Sequence, residues 1–268
     1  MSSGIRATPE DVADAPVTPA APARLAWRVA MLVDARWETP RTRTLVLDVP
    51  DWPGHRAGQH VDVRLTAEDG YQAQRSYSIA SATSGTTVEL TVERLDDGEV
   101  SPYLTDVLQP GDGLELRGPV GGYFVWTPAV AGPLLLVAGG SGVVPLMAML
   151  RDHARADAAT RARVPVRLLY SARTWEDVIY RRELDALGER PGVDVVLTLT
   201  RDAPAGWTGH RRRIDRELLS ATAWPPGDAP NVYVCGPTPL VEAVASALVA
   251  LGHDAARVRT ERFGPTGG

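Results

Sequence analysis

The sequence predicts two domains of different class: an N-terminal six-stranded antiparallel β-barrel, then a C-terminal open parallel five-stranded α/β sheet. Three observations predict it. Residues 25–126 are short alternating apolar runs separated by turn formers. After Pro133, apolar runs alternate with helix-like stretches, which means right-handed crossovers and a parallel sheet. Finally, LLLVAGGSGVVPLMAML over 134–150 reads as a buried strand, a glycine turn and a helix. The boundaries expected from this change of pattern are a tail at 1–23, a β domain at 24–129 and an α/β domain at 130–268.

The first 23 residues, rich in Ala, Pro, Thr and Asp, read as a disordered tail without the basic start and apolar run of a signal peptide. Strands are expected at 27–37, 42–50, 59–65, 75–81, 87–95 and 112–120, with turns such as Asp51-Trp52-Pro53-Gly54, Glu68-Asp69-Gly70 and Asp96-Asp97-Gly98 between them. Six strands in a hundred residues fit a small barrel or sandwich. A short helix is expected at 101–108, with Ser101 as N-cap and Pro102 at the first helical position. In the second half, strands are expected at 134–138, 166–170, 193–199, 232–235 and 258–263. Helices fall near 145–156, 175–187, 213–221 and 238–251, the last ending on Leu251-Gly252, a C-terminal cap signal.

Composition removes several classes of chemistry. All 28 basic residues are Arg, so a Walker lysine and a Schiff-base lysine are both excluded. A net charge of −5 argues against nonspecific nucleic-acid binding. Cys235 is the only cysteine, too few for a disulfide or a four-cysteine iron–sulfur site within this sequence, and the five scattered histidines form no zinc pattern. No apolar run is long enough to span a bilayer, so a cytoplasmic protein without membrane attachment is expected.

In an open α/β sheet, ligands sit beyond the carboxyl ends of the strands, where strand order reverses. Two loops there are rich in Gly and Pro: 139–145, GGSGVVP, and 235–239, CGPTP. Bare glycines let backbone N–H groups approach a phosphate, and a following helix N-terminus favours its charge. Pro145 stands where a dinucleotide fingerprint has its third glycine, and is expected to be the first residue of the helix. Either loop alone is equally a tight turn; the pair together favours a phosphate cradle. Ser141 is no hydrolase nucleophile, because Val143 stands where that motif needs glycine. In the β half, Arg75-Ser76-Tyr77-Ser78 offers a guanidinium for a phosphate and a ring for stacking.

These pieces together resemble the ferredoxin–NADP reductase superfamily, in particular its short bacterial members built from a flavin barrel and a nicotinamide domain. RSYS, GEVSPYL, GPVGGYF, VAGGSGVVP, YSAR, TRD, VCGPTP and ERF fall in the family's order across residues 25–264. The resemblance implies FAD, with FMN the lesser alternative, and a reduced nicotinamide nucleotide as hydride donor. It implies that Arg75 meets the flavin phosphate, that Tyr77 stacks on the ring and that the Ser78 hydroxyl lies near the reactive flavin nitrogen. Gly98, Val100 and Ser101 would hold the FAD pyrophosphate. Gly140, Ser141 and Gly142 would face the nicotinamide nucleotide's pyrophosphate. Cys235, Gly236 and Pro237 would lie against the nicotinamide, and Glu261 and Phe263 would close over the flavin. The catalytic set implied is thus Ser78, Cys235 and Glu261, with no metal. Five residues follow Phe263, whereas plant-type members end on the aromatic residue. Read without the family, Cys235 is a small apolar filler and Glu261 a solvated charge on an edge strand.

Thr200-Arg201 resembles the Ser-Arg pair that holds the nucleotide 2′-phosphate in plant-type members, and Ser171 and Arg173 follow the preceding strand. Arg211, Arg212 and Arg213 follow soon after, and no acid ends the second strand to take a ribose hydroxyl, so NADPH is preferred to NADH. Electrons are expected to leave singly for a separate ferredoxin, oxygenase or other redox protein. Arg41 and Arg43 are read either as part of an acidic partner's docking face or as a solvated strand edge. The rival readings are a reductase of free flavin and an electron-transfer subunit active only inside a complex.

Overall fold

The computed structural model describes residues 25–82 and 86–264, so the tail expected at 1–23 lies outside the described residues. Six antiparallel strands come first: β1 (Trp27–Thr39), β2 (Thr42–Asp48), β3 (His60–Thr66), β4 (Gln72–Ser78), β5 (Thr87–Glu93) and β6 (Gly113–Val120). Their order is β4-β3-β6-β1-β2-β5. The two edge strands then meet beyond the end of β4, where Ile79 bridges Leu90 and the Ala80 N–H donates to the Glu89 carbonyl at 2.8 Å. That seam closes the sheet into a barrel, which leaves little free edge. Alternation decides the faces: Leu45, Leu47, Val61, Val63, Val88 and Leu90 fill the barrel, while Val29, Met31 and Val33 of β1 stay exposed.

The second half is an all-parallel sheet of β7 (Leu134–Gly139), β8 (Val166–Ala172), β9 (Val193–Leu199), β10 (Asn231–Pro237) and β11 (Val258–Phe263), ordered β11-β10-β7-β8-β9. Helices α1 (Val143–Arg155), α2 (Ala158–Arg163), α3 (Arg181–Gly188), α4 (Arg216–Thr222) and α5 (Thr238–Ala250) cover it. Every residue of β7 is buried, as a central strand with helices on both faces requires. Leu134, Leu136 and Tyr170 face one core, and Leu135, Val137 and Leu169 the other. The first core also takes in Ala57, Ala80, Phe124 and Trp126 from the barrel side, so apolar packing runs across the junction.

Four local expectations are corrected. Ser101 does not cap its helix. Its hydroxyl accepts the Leu95 N–H at 3.0 Å, and the segment winds as a π-helical turn over Tyr103–Val107. Pro145 is the third residue of α1, not the first, because a 3₁₀ turn at Gly140–Gly142 leads into a helix beginning at Val143. The position is tolerated because N–H groups of the first helical turn have no intrahelical partner. The helix expected at 175–187 begins only at Arg181. The Asp177 carboxylate accepts both the N–H and the hydroxyl of Thr174, a local bond that competes with helix, and Tyr180 adopts a left-handed φ of 60°. Helix α2 was not expected; Asp157 nucleates it by accepting the Thr160 N–H at 2.7 Å. At the far end α5 closes as expected, with Gly252 at φ +97° and bonds from Gly252 N to Val249 O and His253 N to Leu248 O.

Candidate functional site

Chain order in the parallel sheet reverses between β7 and β10, the place where such sheets open a crevice. The two Gly/Pro loops leave the sheet there side by side. Their glycines have separate physical reasons. A Cβ on Gly142 would lie 2.2 Å from the Cys235 carbonyl oxygen and 2.7 Å from the Gly236 nitrogen, so this glycine lets the two loops pack together. Gly140 has φ +54° and nothing within 4 Å of a built Cβ. Its backbone is open to the crevice, which is the arrangement that lets amides approach an anion.

The crevice has a volume of about 480 Å³, within the usual range for a small-ligand site. From the sheet side, Gly140, Ser141, Ser171, Arg173, Thr200, Pro237 and Phe263 line it, so residues from five strand ends meet. Arg213, outside the expected set though part of the noted arginine run, also lines it, whereas Arg201 does not. Arg201 is exposed, and its N–H donates to the Arg173 carbonyl at 2.8 Å. The Thr200 hydroxyl donates to the Ala172 carbonyl at 3.2 Å. Two acids lie in the lining, Asp177 and Glu93. The opposite wall comes from the barrel: Thr39, Arg41 and Thr42. Arg43, by contrast, is buried and donates to the carbonyls of Thr105 and Leu108 at 2.8 and 2.9 Å, so neither reading of it as a docking or solvated residue holds.

On the barrel, β4 and the segment at 98–101 are brought together through Glu99. It accepts the Tyr71 hydroxyl at 2.8 Å and lies 3.6 Å from the Arg75 guanidinium. Arg75 remains exposed, leaving donors for a ligand. Tyr77 is half-buried against the barrel core; burial pushes its phenol up to about 12, with the Arg75 charge opposing, so it is neutral at physiological pH. Ser78 ends β4 opposite His60, whose imidazole burial holds below its ordinary value. Gly98 sits tight under its own loop, since a Cβ would lie 3.0 Å from Ser101 Oγ. The Val100 side chain fills the barrel, leaving only its backbone for a ligand.

Cys235 and Glu261 are register partners on β10 and β11. Cys235 is 2% exposed, and burial, helped by the Glu261 charge, pushes its thiol well up, so it is a thiol and not a thiolate at neutral pH. Burial also raises the Glu261 carboxyl to about 7, and its Oε2 has no hydrogen-bond partner among the described residues. It is therefore neither the simple solvated charge of one reading nor a paired structural acid. A proton can be held or released there near neutrality. Phe263, paired with Pro237, stands partly exposed at the mouth of the crevice.

The two walls are held in place by polar bonds across the junction. Arg151 of α1 grips Glu183 through two bonds of 2.8 and 2.6 Å and donates across to Ala80 O at 2.8 Å and Glu89 at 3.1 Å. Burial works against its charge, but these acids outweigh it and raise its pKa. The Tyr180 hydroxyl donates to Thr91 Oγ1 of the barrel, and that of Tyr233 to the Val125 carbonyl at 2.8 Å. No cluster of three metal-ligating side chains occurs among the described residues, and no helix among them is long and apolar enough to cross a membrane.

The residues fit two nucleotide-type groups: an open glycine backbone and arginines beside one crevice, a half-buried tyrosine and an exposed arginine beside a tight loop. Comparison with known proteins agrees. The oxidoreductase FAD-binding domain family matches residues 30–125, and the oxidoreductase NAD-binding domain family residues 136–246. A ferredoxin–NADP reductase B of Sorangium cellulosum is 38% identical over 248 residues, covering 87% of this chain and 96% of that protein. A glycine betaine monooxygenase reductase subunit of Chromohalobacter salexigens is 34% identical over 243 residues; the match takes in 89% of this chain but only 64% of that longer relative. Among solved structures, the flavohem-like FAD/NAD-binding domain of nitric oxide dioxygenase from Vibrio cholerae superposes with a TM-score of 0.78 at 25% identity, over 89% of this chain and 99% of that one. A barrel that carries the flavin signature, joined to a parallel sheet that carries the nucleotide signature, places this chain in the ferredoxin–NADP reductase superfamily, as a protein with an FAD-binding and a pyridine-nucleotide-binding domain.

Proposed function

We propose that the protein is an FAD-dependent NADPH oxidoreductase that passes electrons to a separate redox protein, a ferredoxin or an oxygenase component. The observation that carries this is the single crevice onto which the ends of all five parallel strands and the β1–β2 hairpin of the barrel converge. Bound FAD would supply the redox chemistry, accepting a hydride from the nicotinamide and releasing electrons one at a time. The protein's part is to bind, orient and exclude water. Arg75 and the backbone and hydroxyl of Gly98, Val100 and Ser101 take the flavin phosphates, while Tyr77 packs on the ring. Ser78, Cys235 and Glu261 surround the reacting edge, where Glu261 holds a proton at its Oε-carboxyl near neutral pH. Gly140, Ser141 and Gly142 form the nucleotide's phosphate loop, Gly236 and Pro237 its nicotinamide floor, and Phe263 a cover.

NADPH is preferred to NADH because Ser171, Arg173, Thr200 and Arg213 share one lining, with Arg201 beside them. Asp177, the nearer acid in sequence, accepts two bonds from Thr174 at Oδ2. The separate acceptor is supported by the relatives, one a reductase subunit of a monooxygenase and one a ferredoxin reductase. The domain boundary at 129–130 and a cytoplasmic location belong to the same proposal. Purified protein should be yellow, release FAD on denaturation, bleach anaerobically with NADPH and reduce cytochrome c through added ferredoxin. A colourless protein that takes up no FAD would overturn the reading. Activity only with added free flavin would replace it with a free-flavin reductase.

A further inference from the structure

The β1–β2 hairpin contributes an arginine to the crevice from the barrel side. Arg41 lines the same space as Ser141, Arg173 and Arg213. Its Nη2 donates to the Arg94 carbonyl and to Asp96 Oδ2, each at 3.0 Å. Its remaining donors have no partner among the described residues, and the side chain is 49% exposed. Such a tether holds the guanidinium in place before a ligand arrives, so less side-chain entropy is lost on binding. The lining carries three arginines, Arg41, Arg173 and Arg213, against two acids, Glu93 and Asp177.

We propose that Arg41 is a nucleotide-positioning residue, its free N–H groups binding the pyrophosphate of the pyridine dinucleotide opposite the Gly140–Gly142 turn, so that both domains hold one ligand. The idea rests on the proposed function, since it needs a dinucleotide in this crevice. A pyrophosphate carries charge that the remaining Nε and Nη1 donors of Arg41 can meet with single charge-assisted bonds. The barrel thereby helps to decide where the nucleotide sits, a task the glycine loop cannot complete from one wall.

The test is titration calorimetry on the FAD-loaded full chain with two probes, NADP⁺ and 2′-AMP, the second lacking the pyrophosphate. Arg41→Ala should weaken NADP⁺ binding roughly tenfold to a hundredfold, the range for a charge-assisted hydrogen bond, and leave 2′-AMP unchanged. Arg41→Lys should recover part of the loss. Asp96→Asn, which removes the ion pair but keeps the guanidinium and its bond to the Arg94 carbonyl, should bind NADP⁺ at least half as well as the wild type. Unchanged NADP⁺ affinity in Arg41→Ala overturns the proposal. So does an equal loss with 2′-AMP, or a loss in Asp96→Asn matching Arg41→Ala, which would make Arg41 a structural tie. If the wild type binds neither probe, it is the proposed function that fails.

Discussion

Glu261 shows how a carboxyl can be tuned by its surroundings alone. Burial, without a partner at Oε2, lifts it to about 7 from an ordinary value of 4.5. An acid whose pKa is raised on folding binds more protons folded than unfolded, so stability is full below about 4.5 and is lost as pH climbs to about 7. Glu261→Gln should therefore unfold like the wild type at pH 4 but be more stable at pH 8, by roughly 2–3 kcal/mol. Urea melts at the two pH values check this, and an equal difference at both would remove the burial argument. At the same scale, Arg75→Ala should weaken FAD retention about tenfold or more, measured by fluorescence of the released flavin. Arg213→Ala should raise KM for NADPH more than Arg201→Ala does, because only Arg213 reaches the crevice. NADH should hardly register either change.

At the scale of elements, the crossing of the β7–α1 and β10–α5 loops leaves no room for a side chain at Gly142. Gly142→Ala places a Cβ against the backbone of Cys235 and Gly236, neither of which is a flexible side chain. It should cost about 3 kcal/mol and broaden the melt. Gly140→Ala meets no atom within 4 Å, so only its left-handed backbone is strained. A loss of about 1 kcal/mol is expected there, together with weaker nucleotide binding from a methyl in the crevice. Thermal denaturation and NADP⁺ titration of the pair separate packing from binding: equal stability losses would contradict the assigned roles. The same contrast shows why two glycines two residues apart look alike in a motif and differ in the fold.

Across the whole molecule, Arg151 is the bond that holds the two walls in register. It is a mostly buried cation satisfied at once by Glu183 in its own domain and by Ala80 and Glu89 in the barrel. Removing it leaves Glu183 without this partner and Glu89 with Arg36 alone, and because both acids are partly exposed the cost should be about 1–3 kcal/mol. In Arg151→Ala, flavin fluorescence and far-UV circular dichroism should melt at separate temperatures, whereas the wild type should show one coincident transition. Coincident melting in the variant would mean that the shared apolar core, from Trp126 to Leu136, couples the domains without it.

Periodicity and punctuation in the sequence were enough to settle the two domain classes, the strands and the family, because alternation and glycine turns are local consequences of backbone geometry. The Leu251-Gly252 cap was equally legible, since helix ending there depends only on neighbours in sequence. What lay beyond reach depended on which of several possible partners each polar group took, near or distant. Ser101 looked like a cap until Leu95 claimed its hydroxyl, and the helix at 175–187 lost its first turns to Asp177 and to Tyr180's reach for Thr91. Arg41, in the β1–β2 turn, and Arg43, two residues on in β2, meet opposite fates, one in the crevice and one buried beneath Thr105 and Leu108. The unpartnered burial of Glu261 was likewise a matter of tertiary packing. Local conformation follows from adjacent residues, but desolvation and long-range hydrogen bonds exist only once the chain has folded.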